Sequence, residues 1–133
     1  MLGLLIADED IDARKQMADL FIEAGYNVMV TSSAANALHG ILKKTAQVVL
    51  LGSEFDDWKA GDLIPLLKKC NPNLTIILVS GEASLPLLRK LRKEGIFYHA
   101  LKPLCQEDKD EIRQAVQCAF ENMSHKQGAR LHG

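Results

Sequence analysis

The chain has 133 residues, 47% of them hydrophobic, which suffices for one core and one domain. A formal net charge of -1 supplies no overall basic field to gather phosphate backbones, so nucleic acid is not expected as a partner. Cys70, Cys105 and Cys118 are odd in number and far apart, without the close pairs of zinc or disulfide frameworks, and read as reduced thiols of a cytoplasmic protein.

The opening apolar run, residues 2–7, has no positive charge before it and runs straight into Asp8-Glu9-Asp10. It is too short for a signal sequence or a membrane span and reads as a buried strand. Four further runs at about 26–31, 46–51, 74–79 and 96–101 are equally short and rich in Leu, Ile and Val, as strands covered on both faces are. Helical patterns lie between them. The first, about 11–24, is capped by Asp10, repeats Met17, Phe21 and Ala24 on one face, and stops at Gly25. The second, about 34–43, is capped by Ser33 and turns Ala34, Ala37, Leu38, Ile41 and Leu42 inward. A third begins near Asp62 with Pro65 in its first turn and ends before Asn71-Pro72-Asn73. The fourth begins near Ser84 with Pro86 in its first turn and ends at Gly95. The last, about 106–123, stacks Ile112, Val116, Ala119, Phe120 and Met123, leaving a polar, flexible tail at 124–133 beyond a domain of 1–123.

Five strands alternating with five helices predict an α/β doubly wound domain, a five-stranded parallel sheet with right-handed crossovers and helices on both faces. Ligands of such sheets bind beyond the carboxyl ends of the strands, where strand order switches direction. The residues at those ends are Asp8-Glu9, Gly52, Ser80-Gly81 and Lys102-Pro103.

This combination, in register from Leu4 to Met123, resembles the receiver domain of two-component response regulators. Leu5-Ile6-Ala7-Asp8-Glu9-Asp10 resembles the first strand with its acidic pair. Ile76 to Gly81 resembles the fourth strand with its hydroxyl residue, and Gly95 to Pro103 the fifth strand with its lysine. The resemblance implies a flavodoxin-like (βα)5 sandwich with strand order 2-1-3-4-5 and a cis Lys102-Pro103 peptide bond. It also implies that strand three should end in the aspartate that takes a phosphoryl group from a phosphohistidine, and here that position is Gly52. The expected pocket is therefore vestigial: Asp8, Glu9, Ser80 and Lys102 remain, and the nucleophile is missing. Mg²⁺ in this family sits on the acidic pair, so Asp8 and Glu9 are the expected metal residues, with an affinity weak or absent once one carboxylate is gone. No cofactor is required and no catalytic residue is expected. With no phosphoryl group to engage, Lys102 is expected to pair with Asp8 or Glu9.

Three readings are open. The first is a phosphorylation-independent receiver that works by binding a histidine kinase, another signalling protein, or a second copy of itself as a homodimer. The second is a receiver phosphorylated at Asp56 or Asp57 in the loop after strand three, although a residue four or five positions past a strand end is badly placed for in-line attack. The third is a small ligand binder or enzyme on the same architecture. The loop carrying Phe55, Asp56, Asp57 and Trp58 lacks the family's proline and is one residue longer than its pattern. The family's switch aromatic aligns with His99, with Tyr98 displaced by one position. Candidate interface residues are Arg89, Lys90, Arg92 and Lys93 on the fourth helix, and Glu107, Asp108, Asp110 and Glu111 on the fifth. Acids near a helix start and bases near a helix end also satisfy helix dipoles, which is the competing explanation. No output domain is expected in the polar tail, so output passes to a separate chain unless this segment belongs to a longer protein.

Overall fold

A computed structural model describes residues 3–52, 54–55, 58–81 and 85–132, with the side chains of 54, 55, 58 and 124–132 outside the description. In chain order the elements are β1 (Gly3–Ala7), α1 (Ile11–Glu23), β2 (Asn27–Thr31), α2 (Ala34–Leu42), β3 (Val48–Gly52), β4 (Glu54–Phe55), β5 (Trp58–Lys59), α3 (Ala60–Cys70), β6 (Thr75–Ser80), α4 (Leu85–Glu94), β7 (Ile96–Leu101) and α5 (Gln106–His132). Five of the strands form one parallel sheet in the order β2-β1-β3-β6-β7. Counting those strands alone, the order is 2-1-3-4-5, the flavodoxin-like arrangement. Among the described residues no helix is long and apolar enough to cross a membrane.

Strand alternation divides the core in two. Leu5, Val49, Leu51, Ile76 and Leu78 pack under α2, α3 and α4 with Ala37, Ile41, Leu63, Ile64, Leu67 and Leu91. Leu4, Ile6, Val48, Leu50, Ile77 and Val79 pack under α1 and α5 with Met17, Phe21, Ile112, Val116 and Phe120. Because both faces are covered, β1 and β3 are buried at every position, and this is why they read as unbroken apolar runs. The caps fall where expected. Asp10 accepts from the backbone N–H groups of Asp12 and Ala13, and Ser33 accepts from that of Asn36.

Four local expectations need correction. α3 starts at Ala60, so Pro65 stands inside the helix rather than in its first turn. Its ring removes one i→i−4 bond, a cost borne by the burial of Leu63, Ile64 and Leu67 around it. The segment after β3 contains a short antiparallel hairpin, β4 with β5, in which Phe55 lies opposite Trp58. α5 runs on to His132, past the expected end near 123, since residues 124–132 contain no proline to stop it. Finally, the Lys102-Pro103 peptide bond is trans, and the chain turns there by a bond from Leu104 N–H to the Lys102 carbonyl at 2.8 Å. The expected caps and turns at Ser84, Asp56 and Asp57 lie outside the described residues.

Gly95, which ends α4, has φ +111, and a Cβ there would stand 3.0 Å from Cε of Lys68. Both the left-handed backbone and the lysine stem oppose a side chain. Gly95→Ala should therefore destabilise the fold by about 1 kcal/mol or more, measured by chemical denaturation. An unchanged midpoint would show that this turn relaxes freely.

Candidate functional site

The register places the site. Ile6 pairs with Leu50 and Ala7 with Leu51, so one step further Asp8 stands beside Gly52 at the carboxyl edge of the sheet. By alternation both belong to the α1/α5 face. Asp8 is 2% exposed, and a Cβ built on Gly52 would lie 2.8 Å from its Cγ and from its Oδ1. The Asp8 carboxyl group thus fills the volume that any side chain at position 52 would need.

Asp8 is held by several bonds. Its Oδ1 accepts from Asp10 N–H at 2.9 Å, while its backbone carbonyl accepts from an Arg14 guanidinium N–H at 2.8 Å. Its Oδ2 is buried and has no hydrogen-bond partner among the described residues. Burial pushes the Asp8 carboxyl above its ordinary pKa, opposed by the Asp10 N–H and by the charges of Lys102 and Arg14. Arg14 carries no signal in the sequence that singles it out; its role appears only once α1 is folded against the end of β1.

Lys102 does not pair with Asp8 or Glu9. Its Nζ lies 3.1 Å from Oδ2 of Asp10, with side chains 31% and 38% exposed. The reason is local: Asp10 caps α1 with Oδ1, which leaves Oδ2 turned outward, whereas Asp8 is sunk below it and Glu9 faces solvent. Asp10, read from the sequence only as a cap, thereby takes the lysine. The Ala13 N–H and Lys102 together hold the Asp10 carboxyl below its ordinary value.

The donor set can be tested against Mg²⁺. Among the described residues no three acidic, histidine or cysteine side chains converge. One buried carboxylate faces a glycine, its neighbour Glu9 is exposed, and the nearby ammonium is bound to Asp10. Mg²⁺ takes one or two carboxylates together with waters and phosphate oxygens, so these residues offer it a sparse set of protein ligands.

On the opposite face, Ser80 and His99 come together. Ser80 is 3% exposed, its Oγ donates to the Gly81 carbonyl at 3.0 Å, and it stands 2.8 Å from His99 Nε2. Burial lowers the His99 pKa, opposed by Glu111, while Arg92 adds to the lowering. A register shift leaves Phe97 unopposed between Ile96 and Tyr98, and this bulge sets the facing of the remainder of β7. His99 and Leu101 turn toward α4, while Tyr98 turns toward α5 and donates its phenol to Glu111 at 2.8 Å.

The four bases of α4 are exposed. The acids of α5 are mostly engaged: Asp108 accepts from Leu104 N–H and Cys105 N–H, Asp110 from Gln106 and lies 3.5 Å from Arg113, and Glu111 from Tyr98. Asp108 is a helix-start cap that reaches back, as helix dipoles and capping favour.

Residues 4–117 match the response regulator receiver domain. The chain belongs to that family. This receiver domain is 29% identical over 100 residues to the DNA-binding transcriptional regulator NtrC of Rhizobium meliloti, covering 75% of this chain and 21% of that protein. It is 25% identical over 118 residues to the transcriptional regulatory protein GlrR of Escherichia coli, covering 89% and 26%. It therefore spans about a quarter of the length of these relatives. Among solved structures, the CheY-like receiver domain protein of Methanospirillum hungatei has the same fold, with a TM-score of 0.81 at 21% identity over 94% of this chain and 98% of that one.

Buried Asp8 and half-buried His99 give predictions of defined sign. Asp8, with its folded pKa raised, disfavours the fold as pH climbs from 3.8 through the raised value. Asp8→Asn keeps the acceptor for Asp10 N–H and removes the charge, so it should stabilise the protein at pH 7 by about 1 kcal/mol, and by less at pH 4. A loss of stability at pH 7 would contradict the placement of Asp8. His99, with its folded pKa lowered, contributes stability above pH 6.5 that is lost as pH falls toward the folded value. Denaturation of His99→Gln should lack that decline. Lys102→Met, which removes only a half-exposed pair, should cost no more than about 0.5 kcal/mol.

Proposed function

We propose that this receiver domain signals without being phosphorylated, as a binding module for another protein of a two-component network. The observation that carries this reading is the occupation of the space beside Gly52 by the Asp8 carboxyl group. Phosphoryl transfer in a receiver needs a nucleophile aligned with the donor, a metal to neutralise the phosphoryl oxygens, and a cation free to meet them. Position 52 offers no nucleophile, among the described residues no three acids converge, and Lys102 is committed to Asp10. Mg²⁺ binding is accordingly weak, and no cofactor is needed.

The Ser80–His99 contact supports constitutive action. In a receiver the hydroxyl residue reports phosphorylation to the switch position on the last strand. Here the hydroxyl already meets the ring at 2.8 Å with no phosphoryl group between the strands. The face built by α4, β7 and α5 is then held in one arrangement, available to a partner that selects it. With no membrane-crossing helix among the described residues, the reading places the domain in the cytoplasm with the kinases and regulators of such networks.

Incubation with a small phosphodonor and Mg²⁺ should leave the mass of the chain unchanged. A stoichiometric phosphoryl adduct at Asp56 or Asp57 would overturn the reading. In Gly52→Asp the new side chain must displace Asp8 and set two carboxylates together. That variant should be less stable than the parent in chelator and should regain stability with Mg²⁺, whereas the parent responds to neither. Equal Mg²⁺ responses of the two proteins would show that the parent already binds the metal.

A further inference from the structure

A cavity of about 360 Å³ opens at the end of the sheet where Thr75 begins β6 and Ile96 begins β7. Asp8 and Gly52 stand at the opposite, carboxyl edge, and neither belongs to this wall. Three features build it. First, the Lys68 Nζ donates to the Leu74 carbonyl at 2.6 Å, which fixes an ammonium group in the wall. Gly95 makes room for it, since a Cβ there would stand 3.0 Å from the lysine Cε. Second, the register shift in β7 leaves Phe97 unopposed, and its exposed side chain lines the cavity together with Met123. Third, Asn73, Thr75 and Asn122 border the space, and their side chains make no hydrogen bond among the described residues.

Charge decides the class of ligand. Among the described residues Lys68 is the one charged side chain lining the cavity. Two acids lie near it in sequence or on the same helix, but Glu94 is outside the wall, and Glu121 accepts from Gln117 and acts on Tyr26. Beyond Met123 the sequence has Lys126 and Arg130 and no acid, so the end of α5 brings no opposing charge. An anion is therefore favoured, and a single lysine suits a single phosphate. An exposed phenylalanine ring gives a flat base something to stack on. Each asparagine amide sets a donor beside an acceptor, the pattern that pairs with the edge of adenine. Small-molecule pockets begin at roughly 300 Å³, so the volume holds one compact ligand. We infer that this cavity binds an adenine nucleoside monophosphate, its base on Phe97 and against the amides of Asn73 and Asn122, and its phosphate on Lys68.

The test titrates the whole chain, isotopically labelled, with AMP, adenosine, inorganic phosphate and benzoate while its amide resonances are followed. Shifts caused by AMP should gather at residues 73–75, 95–97 and 122–123. AMP should bind at least about tenfold more tightly than adenosine or phosphate alone, because base and phosphate are held by one molecule. Lys68→Met should bring AMP down to the affinity of adenosine and leave adenosine unchanged. Since Lys68 also braces the Leu74 carbonyl, Asn122→Ala at an exposed position is the second variant. It should weaken AMP and adenosine alike, by about threefold to tenfold, at unchanged melting temperature. No shift at millimolar AMP, shifts that map elsewhere, or an affinity that neither variant moves would overturn the assignment. Phosphate binding as tightly as AMP would leave a nonspecific anion site only, and benzoate matching AMP would leave a site for aromatic acids; either result refutes a nucleotide ligand.

Discussion

A buried carboxyl group pressed against a glycine governs this molecule. Asp8 lies at the end of β1 on the face shared with α1 and α5, at the place where the neighbouring strand would carry a side chain, and Gly52 lets it stay there. Its Oδ2 lacks a partner among the described residues and its pKa is raised, so the arrangement costs stability rather than contributing it. A structural role alone would be better served by an apolar residue. The surrounding features depend on this placement. Asp10 is left to take Lys102, Glu9 is left in solvent, and among the described residues no three acidic, histidine or cysteine side chains gather.

The two faces of the sheet carry different features. On the α1/α5 face the Asp8 carboxyl group occupies the space beside Gly52. On the α4 face the Ser80–His99 contact ties the end of β6 to β7, and beyond it lie exposed leucines and the bases of α4. The separation is a consequence of strand alternation: Gly52 and Asp8 share one parity with the α1/α5 core, while Ser80 and His99 share the other. Changes at one of these sites leave the other in place, because the two are built on opposite sides of the same strands.

Much of this was legible in the sequence, for identifiable reasons. Strands covered on both faces leave unbroken apolar runs, and Asp10, Ser33, Gly25 and Gly95 mark helix ends by capping chemistry and backbone freedom, so the alternating α/β fold could be reached from residue type and spacing, while the strand order came from the resemblance to receiver domains. Gly52 at the end of the third strand was equally visible. Competition among near neighbours was concealed. Three consecutive acids, Asp8, Glu9 and Asp10, look interchangeable as partners for Lys102, and only the parity of β1 and the turn into α1 decide that one is buried, one exposed and one shared between cap and lysine. The bulge at Phe97, Pro65 inside α3, and the continuation of α5 to His132 were hidden likewise, since each is settled by packing or by the lack of a stop signal rather than by a positive one.

The most direct test of the central claim is the titration of the Asp8 side-chain carboxyl carbon by NMR, with and without millimolar Mg²⁺. A carboxyl group enclosed against Gly52 and without a metal should titrate above 3.8, at a midpoint that Mg²⁺ does not move. A midpoint at or below 3.8, or one that falls when Mg²⁺ is added, would place Asp8 in an open metal-binding pocket and contradict the account.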